Sequence, residues 1–109
     1  MNVFNEVYGF SKQCLRPSPK GTCLDMAYKF SELMQDKGFL DVHILFGKLN
    51  GEYHCWNEIW VDKIGWLVDF TADQFGYPDL ILDSIDVAFA TYPYEYEESE
   101  EDNIPPSTV

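Results

Sequence analysis

Residues 41–70 read DVHILFGKLNGEYHCWNEIWVDKIGWLVDF, and this stretch decides the fold. Asp41 to Gly47 has the β-branched and aromatic content of a strand, Asn50-Gly51 is the dipeptide best suited to a two-residue type I′ turn, and Tyr53 to Val61 is the returning strand. A second turn within Asp62 to Gly65 leads into Trp66 to Phe70, completing an antiparallel meander of three strands. Strand side chains alternate between faces, so the turns also decide which residues share a face. The first turn sets Gly47 opposite His54, and a second loop with an even number of residues brings Asp69 onto the face of His54. A Val61-Asp62 turn sets the two directly opposite, with Cβ atoms ~4.5–5.5 Å apart, whereas an Asp62-Lys63 turn offsets them by one pair. A loop centred on Lys63-Ile64 instead pairs His54 with Asp73, the rival carboxylate, and an odd loop without a bulge breaks the match.

Upstream, Thr22-Cys23-Leu24-Asp25 fits a capping box in which Thr22 caps and Asp25 reaches back, and the helix runs to Lys37 and closes at Gly38. Asn2 to Leu15 places Val3, Phe4, Val7, Tyr8 and Phe10 near a 3.6-residue period, predicting a first helix interrupted or ended near Gly9. Downstream, Ile85, Val87 and Phe89 alternate within Asp83 to Tyr92, which predicts a further strand. The expected class is α+β, with N-terminal helices packed on a small antiparallel sheet of three to five strands. The main helix is expected on the His54 face, and the first helix or residues 77–89 on the other.

The chain has 109 residues, 46% of them hydrophobic and 17% aromatic, which suits one core and rules out global disorder. The expected division is a single domain over residues 1–91 and an acidic, disordered tail over 92–109. That tail holds Glu95, Glu97, Glu98, Glu100, Glu101 and Asp102, contains Pro105-Pro106 and lacks lysine and arginine, so it reads as solvated, with docking on a basic partner as the alternative. The net charge of −12 repels phosphate backbones and anionic lipid, so neither nucleic acid nor membrane is an expected partner. No apolar run or basic N-terminal segment marks a membrane helix or export signal, and three cysteines are too few for a disulfide scaffold. The expected compartment is the cytoplasm. No Cys-x-x-Cys pair or histidine cluster is present, and neither a metal nor an organic cofactor is expected.

Among the cysteines, Cys23 falls at the first helical position, where unpaired N–H groups and the helix dipole favour a thiolate. It also begins the apolar stripe of Ala27, Phe30 and Met34, which aims it at the sheet. With His54 as base and Asp69 as orienter, the arrangement fits cysteine acyl transfer. Cys55 points to the opposite face of its strand and is expected in the core, while Cys14 could disable the site by pairing with Cys23. For the oxyanion, the Cys23 backbone N–H is one donor and Gln13 or Gln74 a second; Trp56, two residues from His54, is placed to wall the site. His43 is the other base candidate and faces Glu58.

Three blocks, Gly21 to Asp25, His54 to Val61 and Gly65 to Thr71, together resemble the transglutaminase-like branch of the papain-like cysteine enzymes. In that family a helix-leading cysteine, a His-x-Trp-x-Glu strand and a Gly-Trp strand ending in Asp-x-Thr carry the triad. The resemblance spans Gly21 to Phe75 and places Cys23, His54 and Asp69 at the triad positions. It also extends, through Asp69 to Phe75, to small bacterial and phage proteins of this type. It implies a transglutaminase-like core and thiol-dependent acyl transfer or amide hydrolysis on a protein or peptide, of peptidase, deamidase or transglutaminase type. The short chain and the lack of a familiar oxyanion side chain depart from the family. They support an alternative, a catalytically inactive acidic module that binds or inhibits other proteins on the same fold.

Overall fold

In a computed structural model, residues 2–13 and 23–97 are described. Helices α1 (Val3–Gln13) and α2 (Cys23–Asp36) lead into strands β1 (Val42–Leu49), β2 (Glu52–Val61) and β3 (Ile64–Asp69). A 3-10 turn (Ala72–Phe75), β4 (Ile81–Ser84), α3 (Ile85–Thr91) and β5 (Tyr94–Tyr96) follow. The protein is therefore α+β, with one antiparallel sheet in the order β4-β3-β2-β1-β5. Among the described residues no helix is long and apolar enough to cross a membrane.

Both hairpins follow from turn chemistry. Asn50 and Gly51 have φ of 59° and 79°, and Gly47 faces His54 as the turn dictates. The second turn centres on Asp62 and Lys63, with φ of 55° and 70°. Each non-glycine residue in this region costs about 1–2 kcal/mol, which the register offsets by burying Leu67 and Val68 on their two faces. Asn57 pairs with Val68, so Asp69 lies beyond the last rung and diagonal to His54 on the same face, the offset arrangement.

The helices also obey local rules, with two differences. Asn2 caps α1 through its side-chain oxygen, which accepts from the backbone of Phe4 at 2.8 Å, and the helix runs straight through Gly9 rather than stopping there. α2 starts at Cys23 and ends in a Schellman motif, Phe39 N–H to Met34 C=O at 2.9 Å. The further strand expected over Asp83 to Tyr92 is instead the end of β4 followed by α3, because the Ser84 hydroxyl accepts from the Val87 N–H and starts a helix.

The layers place α1 on the face opposite His54, as one expected alternative had it, but exchange the expected faces of α2 and residues 77–89. α2 covers the face opposite His54, where Met26, Phe30 and Met34 pack with Val42, Ile59, Val68 and Phe70, and α1 adds Val3, Val7 and Phe10. The His54 face is covered instead by residues 72–94, with Ala72, Ala88 and Tyr94 packing on Leu49, Trp56, Leu67 and Ile81. The aliphatic row suits the apolar stripe of α2, whereas His54, Glu58 and Asp69 are buried polar groups that require hydrogen-bonding neighbours. Asn57 anchors α2 to the sheet by donating to the carbonyls of Ala27 and His43, both at 3.2 Å.

The boundary drawn at residue 91 also moves. Tyr94 to Tyr96 pair with Gly47 to Leu49, and Tyr94 is buried, so the sheet continues into the segment expected to be tail. Cys14, Thr22 and the acidic run from Glu98 to Asp102 lie outside the described residues.

Candidate active site

His54 and Cys23 begin on opposite faces of the sheet and meet at its end. β3 pairs with β2 only as far as Asn57, leaving the start of β2 without a β3 neighbour. At this open end Cys23, His54 and Cys55 line one cavity, and the two β2 side chains act directly on the Cys23 thiol. Cys23 is partly exposed, while the imidazole of His54 is fully buried.

The imidazole is held on all sides. Its Nε2 lies 2.8 Å from Asp69 Oδ2, and Nδ1 lies 3.3 Å from the Gln74 side-chain nitrogen. With the proton on Nε2, the ring donates to Asp69 and presents Nδ1 as acceptor, so Nδ1 is the nitrogen left to face Cys23 and Gln74. The Phe75 ring stands edge-on at 5.1 Å and Trp56 lies at 6.2 Å, which excludes water from the ring.

Asp69 is more constrained than a turn-forming aspartate needs to be. Its Oδ1 accepts from the Thr71 backbone N–H at 2.9 Å and from the Thr71 hydroxyl at 3.3 Å. Its Oδ2 accepts from the Tyr94 hydroxyl at 2.6 Å as well as from His54. Four donors satisfy this 1% exposed carboxylate.

The electrostatics follow from these contacts. The Cys23 thiol is lowered to about 4, first by its hydrogen bond with the Cys55 thiol; partial burial opposes this, while His54 and the Cys55 N–H add to it. Burial is the largest influence on His54 and disfavours its charge, but the bonds to Asp69 and Cys23 together outweigh it and raise the imidazole to about 9. Cys55 is raised, first by its hydrogen bond with Cys23 and then by burial. Burial, then the Asp69 charge, raises Tyr94. Together these influences favour a thiolate beside an imidazolium at neutral pH.

The structure thus brings together Cys23, His54 and Asp69, with Trp56 and Gln74 beside the imidazole. Asp73 belongs to the 3-10 turn between β3 and β4, and the His54 Nε2 bond goes to Asp69. Gln13 ends α1, and its side chain lies outside the described residues. His43 pairs in register with Glu58, yet its side chain bonds Asp41, while Glu58 accepts from Tyr96 at 2.7 Å. Cys55 is buried as expected, but it touches the site, because α2 brings Cys23 to the Cys55 face.

Sequence reasoning missed Thr71, Phe75 and Tyr94. The Asp69-x-Thr71 spacing carried a signal, since an aspartate commonly accepts from the backbone two residues on. Tyr94 carried none within a run read as tail.

A cavity of about 270 Å³ opens beside the thiol, lined by Cys23, Leu24, Phe46, Tyr53, His54 and Cys55 among others. Leu24, Phe46 and Tyr53 are 40%, 50% and 76% exposed, so the mouth is apolar and accessible. Among the described residues no group of histidine, cysteine and carboxylate side chains is arranged to hold a metal ion. No protein-family model, curated protein or solved structure matches the chain.

Proposed function

We propose that this protein is a thiol-dependent acyl transferase or amide hydrolase that works through Cys23, His54 and Asp69 on a transglutaminase-like core. The observation that carries this is the buried imidazole held by Asp69 at 2.8 Å and lining one cavity with the Cys23 thiol at the start of a helix. The resemblance of the three sequence blocks supports the same roles. No organic cofactor enters the chemistry.

The Cys23 thiolate attacks the carbonyl carbon of a carboxamide, and the carbonyl π electrons move onto oxygen. The first N–H groups of α2, including that of Cys23, lack intrahelical partners and are suited to receive this oxyanion. In the charged pair Nδ1 of His54 carries a proton and donates to sulfur, which releases the Gln74 N–H to serve as a further donor. As the intermediate collapses, the C–N bond breaks, His54 protonates the departing amine and a thioester remains. His54 then takes a proton from an incoming water or amine, which attacks the thioester and restores the thiolate. Asp69 holds the ring in its tautomer and offsets the imidazolium charge.

The apolar mouth formed by Leu24, Phe46 and Tyr53 favours a protein or peptide substrate that presents an apolar side chain beside the reacting amide. The test is intact-protein mass spectrometry after brief exposure to p-nitrophenyl acetate. Wild type is expected to gain one hydroxylamine-labile acetyl group on Cys23, slowly in His54→Ala and not at all at that position in Cys23→Ala. Acetylation equally fast with and without His54 contradicts the proposal and favours a module that acts by binding alone.

A further inference from the structure

Cys55 is the buried nucleophile that acyl transfer leaves unused. It points to the α2 side of the sheet, and α2 begins with Cys23, so register and helix placement bring the two residues to one cavity. Both are free thiols, and both line the cavity that opens to solvent past Leu24 and Tyr53. Cys55 itself is 4% exposed, so its chemistry is reached through Cys23.

We infer that Cys23 and Cys55 form a reversible redox pair, in which a hydroperoxide oxidises Cys23 and Cys55 resolves the product to an intramolecular disulfide. In the first step the Cys23 thiolate attacks the terminal oxygen of the hydroperoxide. The S–O bond forms, the O–O bond breaks, and the departing alkoxide or hydroxide takes a proton to become an alcohol or water. The Cys55 sulfur then attacks the sulfenic sulfur, closing the S–S bond as hydroxide leaves and takes the Cys55 proton to form water. Two thiols are oxidised by two electrons and one peroxide is reduced; a dithiol reductant reverses the change by exchange.

The order of events follows from the environments. Cys23 has the helix start, the imidazole and the opening to solvent, whereas Cys55 is kept protonated and shielded. A neighbouring thiol also protects Cys23, because a sulfenic acid without one proceeds to the irreversible sulfinic acid. The consequence for catalysis rests on the proposed acyl-transfer role: the disulfide removes the nucleophile, and reduction restores it.

The test uses the full reduced chain treated with a small molar excess of hydrogen peroxide, quenched with N-ethylmaleimide and digested without reductant. A Cys23–Cys55 cross-linked peptide is expected, lost on treatment with dithiothreitol, and Cys55→Ser is expected to accumulate sulfinic acid at Cys23 instead. Sulfinic acid at Cys23 of wild type, a Cys14–Cys23 bridge, or unreacted Cys23 and Cys55 each overturns the inference. Acetylation of the reduced wild type by p-nitrophenyl acetate, measured in parallel, separates the two claims. Acetylation without the disulfide defeats the redox pair alone, and the disulfide without acetylation defeats acyl transfer alone.

Discussion

The Tyr94 hydroxyl lies 2.6 Å from the same Asp69 oxygen that takes His54, so the edge strand of the sheet reaches the carboxylate at the centre of the site. Tyr94→Phe keeps the ring and removes this donor. Unfolding in denaturant is expected to show a loss of about 1.5–3 kcal/mol, the usual worth of a hydrogen bond to a charged group. An unchanged midpoint contradicts the assignment.

Deleting residues 93–109 removes β5 and with it Tyr94, and is therefore expected to slow Cys23 acetylation. Deleting only residues 98–109 is expected to leave it intact. Acetylation kinetics on the two truncated chains make the comparison.

Gly47 is required by the same strand. A Cβ there would lie 2.1 Å from the Glu95 carbonyl oxygen and 2.7 Å from the Trp56 ring. Gly47→Ala is expected to cost about 1–3 kcal/mol and to raise hydrogen exchange at Tyr94 to Tyr96 ahead of the rest of the sheet. Uniform exchange across the sheet would show that β5 does not bear the strain.

Asp69→Asn tests the orienter. An amide preserves the shape but removes the charge that favours imidazolium, so the NMR titration of His54 is expected to fall below its value of about 9, while Asp73→Asn leaves it in place. If Asp73→Asn moves the titration and Asp69→Asn does not, the carboxylate role belongs to Asp73.

Gln74→Leu separates oxyanion support from thiol activation. Acetylation builds an oxyanion and is expected to slow on the order of 10²-fold, whereas alkylation of Cys23 by iodoacetamide builds none and is expected to change little. The same pair of rates on Gln13→Leu tests the rival donor. Equal slowing of both reactions in Gln74→Leu would mean that Gln74 acts only through His54.

The readable parts of this fold are those governed by local chemistry. Asn50-Gly51 announced its turn, and once the second turn was limited to an even loop, parity alone put His54 and Asp69 on one face. Which helix covers which face was not readable, because Trp56 and Ile59 make both faces of β2 look apolar and the choice depends on buried partners from distant segments. α3 was hidden for a different reason: over seven residues, Ile85, Val87 and Phe89 fit a period of two as well as they fit two helical turns. Tyr94 was lost because its neighbours Glu95 and Glu97 suggested a solvated tail, whereas strand alternation lets an acidic edge strand turn Tyr94 inward while Glu95 faces out.

The most direct test of an activated Cys23 is its alkylation rate with limiting iodoacetamide as a function of pH, read by peptide mass spectrometry at Cys23 and Cys55. A lowered thiol is ionised above its own value and a raised imidazole stays charged below its own, so the thiolate–imidazolium pair spans about pH 4 to pH 9. An ordinary thiol near 8.5 is only on the order of one part in 300 ionised at pH 6. Cys23 is expected to react ahead of Cys55 at a rate already on a plateau at pH 6, and His54→Ala is expected to shift the profile toward that of an ordinary thiol. A rate at Cys23 that climbs with a midpoint near 8.5 and is the same in His54→Ala would contradict an activated Cys23.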